Sequence, residues 1–260
     1  MPTPNDVLTA MLRSDPARPR VTCYDDIVGE RVELSARVLA NWVAKAANAL
    51  TDGYAAGPGS RVRLALPALH WRTLYWALAT WAVGAQVLPQ RDADRAGDGA
   101  DDGADDRDGD RADDRADDRD GDRDGDRDGD RDGDRDGDGD AAVVVSDSDA
   151  LADIVVTLAA LSRSHPGPVH PAAMDEAREL ATYGDRFEPS EPAGADWVGD
   201  RGWPAGTRLA LTGEPTLVEA LTATLAAFAV DGSVVLFRGT SPERVSRLAA
   251  AEGVTATVTA

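Results

Sequence analysis

The chain has one lysine, Lys45, against 26 arginines. That scarcity excludes more than any motif establishes. Phosphate loops hold a lysine ammonium against nucleotide phosphates, and other covalent chemistries need a lysine amine at a fixed place. Only Lys45 can supply that group, and it falls in an apolar-periodic stretch away from any glycine-rich turn. Abundant Arg, Ala and Gly fit a GC-rich coding bias, which accounts for part of the scarcity. An indispensable lysine would persist all the same.

Cysteine is as rare. Cys23 alone excludes an intramolecular disulfide and a cysteine-based zinc site. Its setting, Val21-Thr22-Cys23-Tyr24, reads as a strand carrying a buried, inert thiol. Long apolar runs are missing too. The longest, Leu217 to Val230, contains Glu219 and is too short to span a bilayer. Met1 to Asp15 bears charges where a secretory signal needs a continuous apolar run. These absences imply a soluble, cytoplasmic protein with no membrane partner.

Positive charge is the other deficit. The net charge is −20, and residues 91–140 hold 24 Asp and 10 Arg, a net of −14. The rest of the chain carries about −6, ordinary for a soluble domain. An acidic balance argues against a nucleic-acid partner, because neutralising phosphates needs basic patches. Within the tract, Arg-Asp-Gly-Asp repeats five times from Arg119 to Asp138, and alanine is the only apolar side chain. Such a segment cannot offset the entropy of ordering, roughly 1–2 kcal/mol per residue, and is expected to be disordered. Asp120-Gly121-Asp122-Arg123-Asp124-Gly125 satisfies the first half of a calcium loop. The twelfth position, which should be a bidentate Glu, is Arg131, so no calcium site is assigned. Excision of 91–140 is expected to change stability by less than about 1 kcal/mol, as for a long surface loop. The expected organisation is an α/β part over 1–90, the insertion over 91–140, and a second α/β part of the same domain over 141–260.

What is present outside the tract is strand–helix alternation. Val21–Tyr24 and Arg31–Leu34 read as a hairpin. Ser35 is placed to cap a helix through Leu50, with Asp52-Gly53 ending it. Val62–Leu66 is a buried-type strand, Leu69–Val83 a helix stopped by Gly84, and Gln86–Leu88 a strand. Ala142–Val145 and Ile154–Leu158 are strand candidates, and Pro171 fits the first turn of a helix to Tyr183. Phe187–Trp203 reads as a loop. Strand Arg208–Leu211, helix Pro215–Ala229, strand Val234–Phe237, a helix from Ser241 to Ala251 and strand Val254–Val258 follow. The fold class is therefore α/β, a mostly parallel sheet covered by helices.

Three stretches carry a resemblance. They are Leu34-Ser35-Ala36-Arg37-Val38-Leu39-Ala40-Asn41, Gly57-Pro58-Gly59-Ser60-Arg61-Val62-Arg63-Leu64-Ala65-Leu66-Pro67, and Trp76 through Gly84-Ala85-Gln86-Val87-Leu88-Pro89. In order and spacing they resemble the start of the adenylate-forming enzymes, the acyl-CoA synthetases and AMP-dependent ligases. The nearest resemblance is to short actinobacterial acyl-CoA-synthetase-like proteins. Ala220 to Val258 is similar to a later segment of that family. The resemblance implies part of that family's N-terminal domain. It also implies a phosphate loop ending Gly-x-Pro-Lys-Gly between the strands near Ile154 and Arg208, where this chain has isolated glycines and no lysine. No residue is carried over as catalytic, cofactor-binding or metal-ligating. The expected function is a non-catalytic scaffold with an unidentified protein partner. Half of a split acyl-adenylating ligase is the alternative, and only then would ATP, AMP or CoA be required.

Other residues offer candidate chemistry. His165 and His170, five residues apart across two prolines, define no common helix face and read as incidental to a proline-rich loop. His70 reads as a capping or surface residue. Trp71, Trp76 and Trp81 step by about 140° around a helix and suit several packing contacts better than an aromatic box. Ser162 and Ser164 have no elbow motif or assigned base. Asp185, Arg186 and Glu188 read as a surface ion cluster.

Overall fold

The opening residues, Thr3-Pro4-Asn5-Asp6, hold a helix start that the strand–helix reading passed over. In the computed structural model, which describes residues 2–90, 143–148, 152–190 and 199–260, they begin α1, Pro4–Ser14. Thr3 and Asp6 exchange hydrogen bonds as a capping box, and Pro4 takes the first helical position, where its missing N–H costs nothing. The elements belong to the unit formed by Met1–Arg91 and Ala141–Ala260. The expectations for the acidic tract, its disorder and its failed calcium loop, lie outside the described residues.

The strands form two five-stranded sheets. The first contains β1 (Pro19–Asp25), β2 (Glu30–Ser35), β8 (Arg208–Thr212), β9 (Ser233–Arg238) and β10 (Ala256–Thr259), in the order β10-β8-β9-β1-β2. Its pairings are parallel except the β1–β2 hairpin. The second contains β3 (Arg61–Ala65), β4 (Gln86–Pro89), β5 (Val143–Ser146), β6 (Ile154–Val155) and β7 (Met174–Asp175). It is parallel throughout, in the order β4-β3-β5-β6-β7. In β9, five consecutive residues from Ser233 are buried, the continuous pattern of a strand covered on both faces.

Three long helices follow strands closely. α2, Ala36–Tyr54, is capped by the Ser35 hydroxyl and buries Leu39, Val43, Ala46 and Leu50 on one face. It runs past Asp52-Gly53, where the sequence suggested an end. Tyr54 donates its hydroxyl to the Asp153 carbonyl at 2.6 Å, and Ala55 closes the helix in the left-handed region, φ 49°. Tertiary anchoring of Tyr54 thus overrides the glycine. α3, Trp71–Ala82, is buried at all twelve positions and packs on α2. A helix apolar all round is an interior helix. Trp71 and Trp76 both lie against Tyr75, with ring centroids 5.6 and 5.7 Å away. A third helix, Leu217–Ala229, follows β8 with a Thr216–Glu219 capping box.

The stretch read as one helix over 171–183 is divided. Met174 and Asp175 form β7 and pair with β6, followed by a four-residue helix, α4 (Glu176–Glu179), and a 3₁₀ turn over Leu180–Thr182. The Asp175 carboxylate accepts the His165 N–H, and Glu176 is drawn inward by Arg72; both contacts are non-local. The strand expected over 154–158 shortens to Ile154–Val155, and the last strand sits at Ala256–Thr259. The helix Leu217–Ala229 is α5, and Pro242–Ala251 is α6, capped by Ser241.

Candidate functional site at the strand carboxyl ends

Parallel α/β sheets bind ligands outside the carboxyl ends of their strands. Here those ends hold several of the buried charged side chains among the described residues. Asp25 closes β1 and Arg238 closes β9, and their side chains meet at 2.6 Å. The other Asp25 oxygen accepts the Ile27 N–H at 3.1 Å. His70, the N-cap of α3, sits beside them and is buried, not on the surface. Its Nδ1 accepts the Arg72 N–H, leaving Nε2 3.9 Å from Asp25, too far for a hydrogen bond. Burial, with the charges of Arg72 and Arg238, pushes the imidazole down to about 3. His70 is neutral near pH 7 and caps its helix; it makes no ion pair.

In the first turn of α3 stands the second group. Arg72 donates to Glu176 at 2.6 Å, to the Tyr75 hydroxyl at 3.4 Å and to the Ala159 carbonyl at 3.3 Å. Tyr75 also donates to the same Glu176 oxygen. Arg72 and Glu176 are buried, and Arg72 Nε and the second Glu176 oxygen have no hydrogen-bond partner among the described residues. Burial holds the Glu176 carboxyl above its ordinary value despite the opposing pull of Arg72 and Tyr75. The guanidinium also lies over the Trp71 ring, 4.4 Å from its centroid. Such a group cross-links α3 to the segment after β6. Sequence reasoning missed it, although an arginine inside an apolar helix is itself a signal that a buried carboxylate must exist elsewhere.

The connection from β6 to β7 supplies the outer wall. Ala160 donates its N–H to Glu30 of β2 at 2.9 Å, tying the connection to the hairpin. Farther along, a cleft of about 440 Å³ is lined by His165, His170, Asp175, Arg178 and Glu179 among others. The two histidines that sequence spacing separated therefore share one cleft. His165 Nδ1 lies 3.3 Å from the Thr157 hydroxyl, and His170 Nδ1 accepts the Ala172 N–H. Each ring is thus engaged by its own loop. Among the described residues, no group of three or more His, Cys, Asp or Glu side chains is arranged to hold a metal.

Cys23 lies on β1 behind Asp25, its thiol 3.7 Å from the Leu69 carbonyl and pushed up to about 12 by burial. Lys45 lies on α2, where Nζ donates to the carbonyls of Ala181 and Tyr183 at 2.8 and 2.6 Å. Asn48, one turn on, holds the Gly184 and Arg186 carbonyls. Asp185, Arg186 and Glu188 are exposed as expected, yet no ion pair joins them. No helix among the described residues is long and apolar enough to cross a membrane.

Compared with protein-family models, the sequence matches none. Over 91 residues it is 54% identical to a TIGR03089 family protein of Mycobacterium tuberculosis, a match covering 35% of this chain and 37% of the relative. Among solved structures, the fold is similar to an acyl-CoA synthetase of Brucella canis, with a TM-score of 0.65 at 15% identity. That likeness covers 99% of this chain and 47% of the other. A fatty acyl CoA synthetase of M. tuberculosis matches with a TM-score of 0.60 at 13% identity, covering 98% and 48%. The N-terminal domain of FACL13 from the same organism also gives 0.60 at 13%, covering 99% and 62%. The chain spans about half the length of the two synthetases. The fold is therefore similar to the N-terminal part of these acyl-CoA synthetases.

Proposed function

We propose that the chain is a non-catalytic acyl-CoA-synthetase-like scaffold, a cytoplasmic binding or assembly module for a protein partner. The observation that carries this reading is the use of Lys45. The only ammonium in the chain is committed to two backbone carbonyls at the end of a 3₁₀ turn, 136 and 138 residues away in sequence. Phosphate or carboxylate activation by lysine would require breaking that anchor. The cations near the strand ends support the same reading, because buried Arg72 and half-buried Arg238 are paired with Glu176 and Asp25.

A second reading is half of a split acyl-adenylating ligase, for which the likeness of fold to the synthetases is the support. There a partner chain would bring the phosphate loop and a lysine, and ATP and CoA would be substrates of the pair. Thermal melting with ATP–Mg²⁺, AMP and acyl-CoA tests the scaffold, since any ligand of the native state raises its stability. A shift at millimolar nucleotide would sink it. Pyrophosphate exchange over a panel of carboxylic acids, with the chain alone and mixed with products of neighbouring genes, tests the split ligase. Exchange in a mixture establishes that second reading, and silence in every mixture removes it.

A further inference from the structure

A second cleft, against the N-terminal half of α2, is assigned no role by anything above. It lies between α1, α2 and the segment 185–189, with a volume of about 540 Å³. That is within the range of small-molecule sites, roughly 300–1,000 Å³. Its floor is apolar: Leu8 and Leu12 from α1, Val43 and Ala44 from α2, and Phe187 and Pro189 from the segment. Its rim is cationic. Arg37 and Arg186 line it, and neither has a carboxylate partner among the described residues, while Asp185 is the one acid there. In a chain of net charge −20, two guanidiniums with no carboxylate partner among the described residues, on one apolar groove, give it a locally cationic rim. Asn5 adds a third donor, because its Nδ2 is buried without a hydrogen-bond partner among the described residues.

The walls are built. Arg37 N–H is held by the Pro16 carbonyl at 3.0 Å, fixing the start of α2 beside the end of α1. The third wall is pinned by Lys45 on Tyr183, by Asn48 on Gly184 and Arg186, and by the Ser190 N–H on the Ala82 carbonyl at 2.8 Å. A cleft with fixed walls binds without first ordering its own chain.

We infer that this cleft binds a small amphipathic anion, an apolar body seated on Leu8, Leu12 and Phe187 with its anionic head between Arg37 and Arg186. Buried apolar area supplies the attraction, and the two guanidiniums select an anionic over a neutral head. The inference is independent of whether the chain is a scaffold or half of a ligase.

The test uses 8-anilinonaphthalene-1-sulfonate as the anionic probe and N-phenyl-1-naphthylamine as its neutral counterpart, titrated by fluorescence into the full chain. Saturable binding of the sulfonate is expected, weakened about three- to tenfold by Arg37→Ala or by Arg186→Ala and further by added salt. The neutral probe should be indifferent to both substitutions. Ala40→Trp, which fills the cleft from α2, should abolish the saturable component for both probes while thermal melting stays cooperative. Binding that survives Ala40→Trp in a folded protein would overturn the inference. So would sulfonate affinity unchanged in the double Arg37→Ala/Arg186→Ala variant.

Discussion

Arg72 and Glu176 meet at 2.6 Å although 104 residues separate them, and both are buried. Their pairing fixes α3 against the end of β7, between elements joined through the acidic tract. Removing one partner leaves the other charge buried, at a cost of about 3–5 kcal/mol. Arg72→Met and Glu176→Leu should each lose that much in chemical denaturation. The double variant should recover most of it, because two apolar side chains of similar volume need no partner. Losses that simply add would show that the pair is not coupled.

Lys45→Met should destabilise the chain by about 1–2 kcal/mol through loss of charge-assisted hydrogen bonds to Ala181 and Tyr183. Hydrogen exchange should rise in the segment 183–186, which Lys45 and Asn48 hold together. Unchanged exchange there would mean that the anchor contributes nothing in solution.

Acid should act through Glu252. Burial pushes its carboxyl up, but hydrogen bonds from Tyr24, Arg31 and Arg208 outweigh this and hold it down at about 2, against an ordinary 4.5. A carboxylate with a depressed folded-state pKa contributes stability that is complete above about pH 4.5 and disappears as pH falls toward 2. Glu252→Gln should therefore flatten the stability curve between those values. Denaturation midpoints at pH 5, 4, 3 and 2 for both proteins check it, and parallel curves would contradict it.

Sheet topology revises the expectation for the tract. β4 and β5 flank β3 in parallel, with Pro89 opposite Leu64 and Val143 opposite Val62. Excision of 91–140 would leave three residues, Gln90, Ala141 and Ala142, to connect the strands. Fully extended, that link reaches roughly 14 Å and must still pass over β3, whereas parallel crossovers take about a dozen residues or more. Complete excision should abolish the cooperative melt. Replacement of 91–140 by about twelve Gly and Ser residues should keep it within about 1 kcal/mol of the parent. Equal melting of both deletions would refute the crossover argument.

His70 and Glu176 show how far local reading carried. His70 was legible as a cap because the residue preceding a buried helix contributes locally, through a bond to Arg72 two residues on. Glu176 was hidden within a stretch that reads as an ordinary helix. Its burial depends on a guanidinium in another part of the chain. The same division separates the Thr3–Asp6 capping box, written in four consecutive residues, from the parallel pairing of β6 with β7 that interrupts the expected helix.

The sequence by itself determined the strand–helix alternation, the capped helix starts and the fact that one lysine serves the whole chain. Those follow from side-chain periodicity and composition, which act over a few residues. Tertiary structure alone decided that the strands divide into two sheets and that α3 carries a buried ion pair. It also decided that Lys45 is spent on a turn 136 residues away. Each depends on partners distant in the sequence, whether strands, buried charges or backbone carbonyls, and no local pattern encodes which partners those are.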